Sequence, residues 1–96
     1  MSACIIVIDR PQPEEREAVH ELVKANADTW WHWFENTWLV TGNLTAVRWR
    51  DVLKPAAKPG PSAILIVQLA DEGWAYFGPK AKERAKWLHE HVKRYP

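Results

Sequence analysis

The segment Thr29-Trp30-Trp31-His32-Trp33-Phe34-Glu35-Asn36-Thr37-Trp38-Leu39-Val40 constrains this chain more than any other. It places four of the seven tryptophans within nine positions. Each indole brings about 150–250 Å² of largely apolar area, so this much aromatic surface must be buried or put to use. The segment reads as a β-hairpin. Glu35-Asn36 is the predicted two-residue turn, although the preferred glycine is absent. Strict alternation predicts Trp30, His32 and Phe34 on one face of the first strand, with Trp31 and Trp33 on the other. Residues 37–41 make the return strand.

The flanking segments supply the other elements. Residues 3–9, Ala-Cys-Ile-Ile-Val-Ile-Asp, form a β-branched apolar run and read as a strand buried on both faces. Arg10-Pro11-Gln12-Pro13 stops it. Pro13 suits the first turn of a helix, and Glu14 and Glu15 complement the positive end of its dipole. Ala18, Val19, Leu22 and Val23 then recur at helical spacing up to about Asn26. After Gly42, Asn43 is the predicted N-cap of a second helix over residues 44–54. Ala46, Trp49 and Leu53 form its apolar stripe, and Leu44, Val47 and Val52 blur it. Residues 55–61, with three prolines, are expected to be an irregular connector. Residues 63–69 read as a second doubly apolar strand. A turn follows at Asp71-Glu72-Gly73, and then Trp74-Ala75-Tyr76-Phe77 as an edge or loop. Gly78-Pro79 opens a last helix whose stripe is Ala81, Ala85, Leu88 and Val92, with Trp87 beside it.

The predicted fold class is therefore α+β. The first six elements match a ferredoxin-like βαββαβ arrangement with an antiparallel sheet, and an additional C-terminal helix follows. The 96 residues are expected to make one such domain, 1–96. The two apolar strands are expected to be neighbours, with the first in the sheet interior. Two helices cover one face of such a sheet. The last helix, a second subunit, or both must cover the other. A homodimer is the expected assembly.

No apolar run is long enough to cross a membrane, and no signal-like segment opens the chain, so a cytoplasmic protein without membrane contact is expected. Cys4, the single cysteine, lies in an apolar run and reads as a buried thiol. The net charge is only +1, but it is unevenly spread. Residues 1–42 hold three basic side chains against seven acidic ones; residues 43–96 hold ten against five. The basic side chains gather on the last helix as Lys80, Lys82, Arg84, Lys86, Lys93 and Arg94. Of these, Lys80, Lys82, Arg84 and Lys86 are the candidate nucleic-acid contacts. Binding there would be weak and electrostatic. Base stacking on the tryptophans needs cations among the aromatics, and the hairpin has no Lys or Arg from Ala25 to Val47. Packing is the favoured role of its indoles.

Asp9 is the candidate metal and catalytic residue. A carboxylate at a strand end can hold Mg or Mn, above all where a two-fold axis brings two copies together. A polar strand end or helix cap is the plainer account. His32 is a candidate general acid or base, against the commoner packed and hydrogen-bonded histidine. The histidines and Cys4 show no zinc spacing, and no phosphate loop or nucleophile elbow is present.

The strings Trp31-His32-Trp33-Phe34-Glu35-Asn36-Thr37-Trp38-Leu39-Val40, Leu44-Thr45-Ala46-Val47, Arg50-Asp51, Leu53-Lys54-Pro55 and Ile64-Leu65-Ile66-Val67 resemble a family of small bacterial proteins. That family carries the label "SinR family". Its members are similar in fold to the CRISPR-associated adaptation endoribonucleases and to virulence-associated protein D. The resemblance covers Cys4 to about Val92. It implies a homodimer with one strand-ending Asp per subunit at a metal site, and Asp9 is the matching position. Ile8 before it, where an aromatic is common, and Arg10 after it depart from the nuclease pattern. The expected function is a non-enzymatic or weakly active binding module in a defence or toxin–antitoxin setting. The alternatives are a metal-dependent endoribonuclease using Asp9, and a structural subunit of a larger assembly.

Overall fold

A computed structural model describes residues 2–57, 63–69 and 80–91. It is an α+β structure with a four-stranded antiparallel sheet and three α-helices. The elements are β1 (Ser2–Ile8), α1 (Pro13–Asn26), β2 (Thr29–Phe34), β3 (Thr37–Gly42), α2 (Ala46–Leu53), β4 (Ile64–Gln68) and α3 (Ala81–His91). The sheet order is β2-β3-β1-β4. As expected, the two apolar strands β1 and β4 are neighbours and β1 lies inside the sheet.

Strand register divides the side chains between two faces. Cys4, Ile6 and Ile8 of β1 lie beside Val40 and Trp38 of β3 and beside Gln68, Ile66 and Ile64 of β4. This first face is the core. Val19 and Val23 from α1 and Trp49 and Leu53 from α2 are buried against it, with Ala56 at the margin. Both helices therefore present the stripes that their periodicity predicts. Val52 of α2 and Leu44, just before it, lean on the core, while Val47 points to solvent.

Local corrections have physical causes. Helix α1 starts where the backbone N–H of Gln12 donates to Glu15 Oε1 at 2.9 Å, and this contact buries the Glu15 side chain. Thr45, not Asn43, caps α2: its hydroxyl accepts from the Arg48 N–H at 3.4 Å. The helix begins two residues later than predicted and ends one earlier, with Leu44 free to reach the core. Residues 54–57 are a short 3₁₀ helix rather than irregular chain. Pro55 fits there because its fixed φ is compatible with a helical turn and the first N–H groups need no partner. The predicted features at 58–62, 71–79 and Val92 lie outside the described residues, as do Lys93 and Arg94.

The hairpin turns at Glu35-Asn36 as predicted. Its facing does not follow strict alternation. Trp31 pairs with Leu39 and Phe34 with Thr37, so two residues of β2, His32 and Trp33, stand opposite Trp38 alone. This is a β-bulge. The extra residue moves Phe34 onto the face of Trp31, where the two rings meet edge to face at 5.0 Å. Neither turn residue takes a positive φ. The turn is thus not of the primed kind that matches strand twist, and the bulge supplies the extra twist.

The second face carries Ile5, Val7, Leu39, Leu65 and Val67. The expectation that β1 and β4 are buried on both faces holds only for the first. Leu65 is 61% exposed and Val67 is exposed as well. Helix α3 covers the end of this face at β2. There the Trp31 indole N–H donates to the Arg84 carbonyl, and Trp31 and Leu88 are buried. No described helix is long and apolar enough to cross a membrane.

Candidate functional site

Where α3 meets the hairpin, the chain brings cations onto an exposed indole. Trp33 is 41% exposed and Phe34 is 45% exposed. The Arg84 guanidinium carbon stands 5.0 Å from the Trp33 ring centroid, and Lys80 Nζ stands 6.0 Å from it. Both distances suit attraction between a cation and the negative face of a ring. The Arg84 N–H donates to the Lys80 carbonyl at 2.9 Å, which ties the first turn of α3 to a residue of positive φ. Lys82 and Lys86 are exposed, four apart on the same helix and so on one side of it. Lys82, Arg84 and Lys86 therefore stand on the helix that lies against β2, and Lys80 immediately precedes it. The hairpin contains no cation of its own, and the fold supplies them from about 50 positions downstream.

A second cluster lies on the first face. His32 stacks on Trp38 with centroids 4.1 Å apart and planes 5° from parallel. His20 lies 5.2 Å from His32, and its Nδ1 accepts the Trp38 indole N–H at 3.1 Å. That bond requires His20 to carry its proton on Nε2. The Thr37 carbonyl is 2.9 Å from His32 Nδ1, so that nitrogen donates and Nε2 is left as the basic one. Burial pushes the His32 imidazole below its ordinary value. The Thr37 bond raises it, and His20 and Arg16 lower it. His32 is thus a packed, hydrogen-bonded ring rather than a residue presented to solvent. Arg16 also pairs with Glu35 of the turn.

A pH dependence follows from the lowered His32 value. Below the ordinary imidazole range the unfolded chain binds a proton that the folded chain resists. The stabilisation is complete at about pH 7.5 and is lost as pH falls through the folded value. The melting temperature is expected to drop as pH falls below the ordinary imidazole value, and His32→Phe, which keeps an aromatic ring on Trp38, should flatten that drop. An unchanged slope in the variant would assign the titration to another group.

Asp9 follows β1 and its side chain is 72% exposed. Its N–H donates to the Ala63 carbonyl at 2.9 Å, and its carboxylate lies 3.8 Å from the Arg10 guanidinium. Arg10 has a φ of 46°, which swings the chain out of the strand. Among the described residues no group of three or more His, Cys, Asp or Glu side chains could hold a metal ion. Cys4 is buried, and burial pushes its thiol up, away from the reactive thiolate.

Sequence reasoning missed one further feature, a cleft of about 250 Å³ between β2 and the C-terminal end of α3. Asp28, Thr29, Trp30, Trp87 and His91 line it. The only signal in the sequence was the position of Trp87 beside its helical stripe. Comparison with protein-family models, curated proteins and solved structures finds no match to this chain.

Proposed function

We propose that this protein is a non-enzymatic module that binds single-stranded nucleic acid on the surface shared by β2 and α3. The observation that carries this reading is the placement of Arg84 and Lys80 over the exposed ring of Trp33. Single-strand binding combines cations that follow the backbone with aromatic faces that accept any base. Trp33 and Phe34 provide such faces, and Lys80, Lys82, Arg84 and Lys86 provide the charge. No reaction is needed for this role, and Asp9 takes no part in it.

The test is fluorescence anisotropy with a labelled single-stranded RNA at low salt. The wild type is expected to bind without sequence preference. Trp33→Ala should weaken binding by about 1–3 kcal/mol, the usual contribution of one stacked base. Equal affinity in the variant would remove the stacking platform from the proposal.

We further assign the topology to the ferredoxin-like kind. The order β4-β1-β3-β2, with α1 and α2 against one face, supports this assignment. It also favours kinship with the small bacterial family and the fold relatives that the hairpin string resembles. The exposed part of the second face, Leu65 and Val67 with the half-buried Ile5 and Val7 beside them, is proposed to pair with a second copy. A stable pair would bury roughly 1,000 Å² or more in total. Light scattering at high micromolar concentration should give a dimer mass, and a monomer mass there would refute the pairing.

A further inference from the structure

The cleft between Asp28 and His91 has a chemistry unlike that of the basic surface. Its lining contains two indoles, Trp30 and Trp87, and the imidazole of His91. Trp87 and His91 are held together, with ring centroids 4.9 Å apart and planes tilted by 42°. Trp30, on the opposite element, is 38% exposed. The one acidic side chain in the lining is Asp28, and among the described residues no cation pairs with it.

The acid is positioned by the backbone. The Asp28 N–H donates to the Thr41 carbonyl at 2.8 Å. Gly42, with a φ of 154°, lets the Asp28 backbone approach closely: a Cβ there would stand 3.3 Å from the Asp28 nitrogen. The neighbouring Thr29 hydroxyl is engaged with Thr41. Asp28 is thus an exposed carboxylate on a backbone-anchored residue, and it shares the lining of the cleft with Trp30, Trp87 and His91.

We propose that this cleft binds an alkylated ammonium cation. Ring faces attract a cation, and the attraction grows when the cation is cheaply stripped of water. Methyl groups remove the hydrogens that water would hold, and they make apolar contact with the indoles. The Asp28 carboxylate supplies the counter-charge. A phosphate or a carboxylate ligand is disfavoured by that same acid, so the cleft is not an extension of the nucleic-acid surface. Its volume is below the roughly 300–1,000 Å³ of pockets for drug-sized ligands. It suits a single head group, carried either by a free quaternary amine or by a methylated lysine of another protein.

The experiment is a titration followed by tryptophan fluorescence and by the indole N–H resonances in NMR. Three probes are used: choline, a trimethyl-lysine peptide, and 3,3-dimethylbutanol, the neutral carbon isostere of choline. Choline is expected to give a saturable change, and the neutral isostere should bind at least about tenfold more weakly, since it lacks the cation–ring attraction. Asp28→Asn, which keeps the side-chain shape, should weaken choline binding by about tenfold, and Trp30→Ala should do the same with the fold verified by circular dichroism. A peptide that binds more tightly than choline assigns the source to a modified protein. Choline equal to or tighter than the peptide assigns it to a free amine. Equal binding of choline and its neutral isostere, or no saturable response to either cation, overturns the proposal. Loss of RNA binding in Trp33→Ala leaves it untouched, because Trp33 is not part of the cleft.

Discussion

Trp38→Ala is expected to destabilise the protein by about 3–5 kcal/mol, the range for truncating a buried aromatic. The indole is fully buried, at 0% exposure, in a core of branched aliphatic side chains, Cys4, Ala56 and Trp49. Its loss leaves a void between β1, β3 and α1 that these neighbours can fill only in part. One polar and one stacking consequence add to the void. His20 Nδ1 loses the N–H that it accepts, and His32 loses the ring on which it stacks. Domains of this size are stable by only about 5–15 kcal/mol, so the variant would lose a large share of its stability. Urea denaturation of both proteins is the measurement. A cooperative transition at nearly the wild-type midpoint would remove Trp38 from the core.

The second large effect concerns charge. Lys82→Glu combined with Lys86→Glu is expected to reduce single-stranded RNA affinity by about a hundredfold or more at low salt, because two released counterions are replaced by two repulsions. Both side chains are exposed, so folding should be unaffected. In the wild type, if all four of Lys80, Lys82, Arg84 and Lys86 engage phosphates, log K should fall with log salt at a slope of about −3. In the double variant the slope should be shallower. Binding that survives both the reversal and high salt would point to stacking on Trp33 and Phe34 with little electrostatic help.

The hairpin was legible because its cause is local. A turn between two aromatic, β-branched runs is written within a dozen residues, and Glu35-Asn36 turns where the pattern says. The bulge was not legible. Alternation in Trp30-Trp31-His32-Trp33-Phe34 is the same with or without it, and only the partner strand shows that His32 and Trp33 share Trp38. The helix stripes were legible for a similar local reason: Val19 with Val23, and Trp49 with Leu53, repeat every four residues on a face that must leave water. The cap of α2 was misplaced by two positions because Asn43 and Thr45 have equivalent capping chemistry. The choice fell to Leu44, which lies before the helix and packs against the core.

The candidate sites divide in the same way. Sequence alone determined the element order, the pairing of the aromatic strands, the apolar stripes of α1 and α2, and the gathering of basic residues late in the chain. These depend on periodicity and turn chemistry, which act over a few residues. Tertiary structure alone decided that Arg84 would stand over Trp33, that His20 would meet Trp38, and that Asp28 would line one cleft with Trp87 and His91. Each of these placements brings together residues separated by 18 to 63 positions, and each depends on the path of the whole intervening chain. The same path left Leu65 and Val67 exposed, because among the described residues α3 lies against β2, at the other edge of the sheet from β4. A pattern of apolar residues states that a surface is to be covered; only the assembled chain states by what.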